Sequence, residues 1–358
     1  MEFNLTQKEE KFLEEMGINI FSNERKYWFI RTQGGFYYNS FVNENYVGIE
    51  WDEISDLNLI NGRKEEELRL EIVTHYPKIE RPGYPIGQIM KFAHHIKKGD
   101  IVLIPSENCD WISIGEFLDD KMYIYEEEAS FEDLLDQAEK DENKSEKRPI
   151  LKKRRNVKWI KSVKKTDLDP YLYSIIHIHY PVTNINEYSD FIDRALSQFY
   201  IKGNKGYFTY KVNKKKNIPY RDMLNFLNSN DLLMDYINNQ TSVEYNMDEL
   251  VIKINVQSKG PVQLKGSAKN ILIFGLIITG LFGANFKFKV GDIDVEMSSE
   301  GLPALLQTVS NIMDKGDPSI EKVKNSLNQS SEKLEVSIPE IKQSETTLEE
   351  NKTKEIDQ

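Results

Sequence analysis

The sequence predicts an α+β fold: a small curved, barrel-like N-terminal sheet with flanking helices, a middle α/β extension, and a small C-terminal β-rich segment with an apolar stretch. Three observations predict it. Short runs of β-branched and aromatic residues interleave with segments whose apolar residues recur at helical spacing. Several strand-like runs follow one another closely enough to be neighbours in one curled sheet. The stretch YWFIRTQGGFYYNSFVNENYVGIEWDEI, residues 27–54, holds nine aromatic side chains in 28 positions. That much ring surface suits a packed β core together with an aromatic pocket for a flat ligand.

The elements follow in order. Phe12, Leu13 and Met16 are spaced for a short amphipathic helix. YWFIR reads as a strand and TQGG as a turn, since paired glycines relieve the steric limit on φ. YVGIEW is a second strand with DEISDL as its polar exit. In KEEELRLEIVTHYP, Leu68, Ile72 and Tyr76 share one helical face. YPIGQIMKFAHHI gives another helix with Ile86, Ile89, Met90 and Ala93 on one side, and GDIVLIP and WISIGEFLD read as successive strands. The chain then turns acidic, with a flexible insertion expected at about 126–147. From Arg148 to Lys165 it carries nine basic residues and no acidic one. INEYSDFIDRALSQFY reads as a helix with a stripe of Tyr188, Phe191, Ile192, Ala195 and Phe199. YIKGNKGYFTYKV is a hairpin, YRDMLNFLNSNDLLMDYI a helix, and ELVIKINVQS a half-buried strand. Beyond Gly316 the composition predicts disorder. The expected divisions are 1–165, 166–245, 246–316 and a tail at 317–358.

A net charge of −11 argues against non-specific coating of nucleic acid, although the basic run is a strong local field for an anion. The lone Cys109 excludes an intramolecular disulfide and points to a reducing, cytoplasmic setting. The N-terminus is acidic without a long apolar core, unlike a secretory signal.

Three pieces resemble the N-terminal domain of Mrr-type restriction proteins, within the wider PUA/EVE-like group. They are Arg31 with Gly34, Gly35, Tyr37, Phe41 and YVGIEWDEISDL; GQIMKFAHHIKKGDIVLIP; and WISIGEF closed by the basic RNVKWI. Together they span residues 27 to about 165. Phe36 stands where the resemblance leads one to expect an acidic residue, and the acidic insertion is a second departure. The resemblance implies a small curved sheet that binds DNA or RNA, a modified base among its ligands, in defence against foreign DNA. A flipped base needs ring walls to replace lost stacking. Trp28, Tyr37, Trp51 and Trp111 are the candidate walls. Asp52 and Gln88 are candidate rim groups that read a base edge, and Arg31, Arg154, Arg155 and Lys158 are candidate phosphate contacts.

Catalytic chemistry finds little support. A metal-dependent nuclease would need Gln257 and Lys259 after an upstream aspartate, and Asp235 and Asp248 lack the glycine-flanked setting. The imidazoles of His177 and His179 would share a strand face as a metal pair, but no cysteine or acidic cluster accompanies them. No cofactor is expected. Residues 270–286 carry no charge. Seventeen helical residues span about 25 Å, below the roughly 30 Å hydrocarbon core. The segment therefore reads as a buried element or homo-oligomer surface, with membrane contact as the alternative. The functions in contention are a nucleic-acid sensor with a C-terminal oligomerising or membrane-acting output, an Mrr-like nuclease, and a membrane-surface adaptor.

Overall fold

The computed structural model describes residues 4–126, 150–240, 249–254, 259–282, 301–314 and 317–341. Most of the acidic insertion, Asp248, Gln257 and the last part of the expected disordered tail lie outside the described residues. The strands are β1 Asn19–Phe21, β2 Tyr27–Ile30, β3 Tyr46–Ile49, β4 Ile101–Pro105, β5 Trp111–Phe117, β6 Tyr123–Ile124, β7 Lys153–Lys164, β8 Val182–Asn184, β9 Phe199–Lys202, β10 Lys205–Val212, β11 Val251–Ile254, β12 Gly260–Ser267 and β13 Val336–Ser337. The helices are α1 Gln7–Glu15, α2 Tyr38–Asn43, α3 Leu57–Asn61, α4 Glu65–His75, α5 Gly83–Met90, α6 Ser189–Leu196, α7 Tyr220–Gln240, α8 Ala268–Leu281, α9 Leu302–Asp314 and α10 Pro318–Leu334.

The chain forms two compact units rather than the expected three. One is Glu24–Leu196; the other joins Met1–Asn23 to Ser197–Gln358. In residues 24–196 the described strands run β3-β7-β5-β4-β2-β8, with β6 also on β7. β2 and β4 are parallel, and the other pairs are antiparallel. The sheet curls because β7 is shared: its first residues pair β3 and β6, and its later ones pair β5. A register shift between Ile114 and Gly115 marks the bend. Gly115 is required there, since a Cβ would lie 2.4 Å from Val157 Cγ1. Gly35 serves the adjoining loop in the same way: φ is +99° and a Cβ would fall 2.3 Å from the backbone of Glu107. A mixed α/β unit with a curled half-barrel sheet is thus the observed architecture. The helical faces are as the spacing predicts, with Leu68, Ile72, Ile86, Ile89 and Ala93 buried.

In the other unit, β10 is central. It pairs β9 through a hairpin and β12 on its other side, while β1 joins β9 in parallel and β11 joins β12. The uncharged stretch folds as α8, capped by the Ser267 side chain, and its body is buried. Gly275 lets α8 close on the sheet, because a Cβ there would meet Phe199 Cζ at 2.5 Å and Phe208 Cδ2 at 2.8 Å. Among the described residues no helix is long and apolar enough to cross a membrane.

Four sequence expectations need correction. The C-terminal unit is not a short β-rich segment, because α1 and β1 complete it from the other end of the sequence. Disorder does not begin at 317: α10 buries Ile320, Val323, Leu327 and Leu334 in that core. The stripe ending at Phe199 breaks at Leu196, and Phe199 opens β9. His177 ends a 3-10 helix, Pro170–His177, so HIH is not a strand face. Among the described residues no cluster of three or more candidate metal ligands occurs.

Candidate functional site

The chain leaves β3 at Ile49 and turns sharply. Trp51 has φ +66°, in the left-handed region that bulky side chains rarely adopt. Two donors hold its carbonyl: the Ile54 N–H at 2.9 Å and Lys153 Nζ at 2.6 Å. Lys153 has no exposed surface. Burial lowers its ammonium to about 8, against the opposing pull of Asp52, whose carboxylate lies 3.8 Å away. Asp52 also accepts the Lys152 N–H at 2.7 Å. Its carboxylate therefore ties the corner to β7 and is not the expected free rim group.

The corner presents the half-buried Trp51 ring to two tyrosines. Trp51 and Tyr84 meet edge to face, with centroids 6.1 Å apart and planes at 84°. Tyr84 and Tyr180 follow at 6.0 Å and 43°. Tyr84 is 41% exposed and Tyr180 is 56% exposed. Arg31 fixes the segment bearing Tyr180, donating from Nη1 to the Ile178 carbonyl at 2.5 Å and from its backbone to Pro181 at 3.0 Å. Its guanidinium is thereby tied to the backbone that carries Tyr180.

Gln88 lies one turn after Tyr84 on α5, so the two share a face. It is only 3% exposed. Its Oε1 accepts the Val182 N–H at 3.0 Å, which assigns the amide orientation. The amide nitrogen points the other way, without a hydrogen-bond partner among the described residues. Tyr84 lies four residues before Gln88, and Tyr180 two residues before Val182, the hydrogen-bond partner of Gln88.

Glu50 completes the group. Its side chain is exposed, yet surrounding protein raises its carboxyl above the ordinary range, and Asp52 adds to the rise. It makes no hydrogen bond and no ion pair among the described residues. The buried Tyr37 hydroxyl is pushed up to about 12, first by burial and then by Glu50 and Asp52. Tyr76 is raised chiefly by burial while accepting the Glu53 N–H, and Tyr84 by burial and then by Tyr180 and Glu50. No cation lowers these three phenols. The surroundings of the Trp51 corner are aromatic and acidic.

The remaining predicted residues lie elsewhere. Trp28 is sealed in the core, its Nε1 donating to Asp100 at 2.8 Å. Trp111 is 40% exposed but pairs with Lys164 at the far end of β7, with Lys164 Nζ 5.3 Å from its ring. Lys153 and Lys164 are separated by up to about 36 Å of strand, so Trp111 and Trp51 do not wall one pocket. Arg155 is fully buried and donates to the carbonyls of Phe92 at 2.7 Å and Ala93 at 2.8 Å. Those carbonyls sit in the π-helical turn Lys91–His95, whose end needs such donors. The Arg154 guanidinium lies 3.9 Å from the Tyr46 ring and 3.7 Å from Tyr125, with Glu44 at 3.6 Å. Neither arginine is available to a phosphate; of the four expected cations, Lys158 alone is well exposed.

Sequence reading missed Glu50, Tyr84, Tyr180 and Lys153. The i, i+4 spacing of Tyr84 and Gln88 was a usable signal. Tyr180 had none, because its place depends on a partner strand distant in sequence.

The model of a domain of unknown function, DUF8426, matches residues 30–174, less than half of the chain. The match lies within residues 24–196 and includes the Trp51 corner and the Tyr84–Gln88 turn. No curated protein and no solved structure matches the chain. The likeness to PUA/EVE-like domains therefore rests on the motifs quoted above.

Proposed function

We propose that residues 24–196 are a PUA/EVE-like module that senses nucleic acid by taking a base of DNA or RNA, a modified one included, against the Trp51, Tyr84 and Tyr180 rings. One observation carries this reading: Tyr84 touches both the half-buried Trp51 ring and the exposed Tyr180 ring, near the Glu50 carboxylate and on the same helix as Gln88, and that carboxylate and the Gln88 amide nitrogen have no partner among the described residues. Rings recover the stacking lost by an extruded base, and the polar pair reads its edge. The acidic cleft repels phosphate, so backbone contacts fall outside it, on exposed β7 lysines such as Lys158 and Lys164. The C-terminal output is then the folded α/β unit that buries the body of α8.

The test is fluorescence titration of single-stranded oligonucleotides against the full chain. Trp51→Ala and Tyr84→Ala are expected to weaken binding about tenfold to a hundredfold, the worth of one lost stack. Lys158→Ala should lower the salt dependence while leaving base preference alone. Equal affinity in all variants would remove the cleft as the binding site.

A further inference from the structure

The proposed reading says that a base enters the cleft but leaves its identity open; the inference here rests on that reading and concerns which base. We propose that the Glu50 carboxylate takes the Watson–Crick edge of a guanine, and that a positive charge on that base, as N7-methylation creates, tightens the contact.

Glu50 brings two acceptor oxygens and no partner within the described chain. Two acceptors side by side call for two adjacent donors. Among neutral bases only guanine supplies them, through N1–H and the N2 amine; adenine and cytosine each set one amine beside an acceptor nitrogen. The second observation is Gln88. Its amide nitrogen is a donor without a partner among the described residues, on an almost wholly buried residue one helical turn after Tyr84. Guanine O6, next to N1–H, is the acceptor that such a donor needs. The Trp51 indole N–H likewise has no partner among the described residues, so a second donor is available at the rim.

Ring geometry bears on the charge. Two walls that sandwich a flat ring must be nearly parallel and separated by the thickness of the guest. Trp51 and Tyr84 instead stand at 84° and touch each other. A base stacks on one ring and presents its edge to the next, and ring faces set at an angle attract positive charge. Carboxylates supply the nearby formal charge on Tyr37 and Tyr84, with no cation acting against them. Asp52 is held by Lys152 and Lys153, which leaves Glu50 as the selective group.

Nucleosides isolate the cleft from phosphate contacts. Guanosine, inosine, adenosine, cytidine and 7-methylguanosine would be titrated calorimetrically into the full chain. The expected order is 7-methylguanosine, then guanosine, then the rest, with guanosine ahead of adenosine and cytidine by about tenfold or more. Inosine lacks the N2 amine and should fall below guanosine. Glu50→Gln should erase both the guanosine preference and the 7-methyl advantage; because Glu50 is exposed and unpaired, the variant is expected to fold. Trp51→Ala should weaken all nucleosides alike. If all five bind equally and Trp51→Ala weakens them together, base binding stands and the guanine assignment falls. If Glu50→Gln keeps the ranking, the assignment also falls. If no nucleoside or oligonucleotide binds, both readings fall.

Discussion

In residues 197–341 the rings of Phe199, Phe208 and Phe274 close on one another within the core, with Phe208 edge-on to both neighbours. In residues 24–196 the rings of Trp51, Tyr84 and Tyr180 touch at similar spacing but remain partly in water. The contacts look alike and the surroundings do not. The first set has apolar neighbours, while near the second stand the Glu50 carboxylate and, one turn along α5, the Gln88 amide; that carboxylate and that amide nitrogen have no partner among the described residues. Ring contact by itself does not mark a site; rings left open beside unsatisfied polar groups do.

Stability and binding measurements can break that comparison, beginning with the largest expected effect. Phe208→Ala should cost about 3–5 kcal/mol in denaturant unfolding, the range for a large ring removed from a packed core. A loss under about 1 kcal/mol would mean that the Phe199–Phe208–Phe274 cluster is not tightly packed. Lys153→Met should cost about 2 kcal/mol at pH 7, since the Trp51 carbonyl and Asp52 both lose a charged partner. Its pH dependence sharpens the case. Folded Lys153 gives up its proton near pH 8 and unfolded lysine near 10.5. Between those values the unfolded state holds more protons, so stability rises with pH. Below pH 8 both states are protonated and the contribution is flat. The stability gap between the natural chain and Lys153→Met should therefore widen from pH 8 to 10; a constant gap would show that Lys153 is not desolvated.

Trp51→Ala belongs next: a stability change under about 1 kcal/mol, because the ring is half-exposed, together with the binding loss given above. Glu50→Gln should leave the melting temperature level or raise it at neutral pH. The folded carboxyl has a raised pKa, so ionisation penalises the native state as pH climbs above the ordinary carboxylate range. A clear fall in melting temperature would show that Glu50 is paired after all. Trp111→Ala should be smallest, within about 0.5 kcal/mol and without effect on nucleoside binding.

Much of the curled sheet was legible in the sequence. Apolar runs such as GDIVLIP and WISIGEF announce strands, and Gly34–Gly35 announces the turn that only glycine can make at Gly35. Two of the residues singled out from the sequence, Trp51 and Gln88, fall at the proposed site, the first at the corner after β3 and the second one turn after Tyr84 on α5. The basic run misled, because charge in a sequence says nothing of burial. Arg155 serves a helix end and Arg154 lies against two tyrosine rings, uses that depend on partners brought close only by folding. Asp52 and Glu50 are carboxylates two residues apart; the Lys152 N–H and the Lys153 ammonium commit the first, while the second has no partner among the described residues.

The parallel pairing of β1 with β9 sets an order on biosynthesis. Asn19 must wait for Tyr200, so the first strand emerges from the ribosome long before its neighbour exists. The intervening residues can complete their own fold in that interval, as domains do during synthesis. Translation speed across residues 24–196 thus governs how long an unmatched strand edge is exposed to other nascent chains.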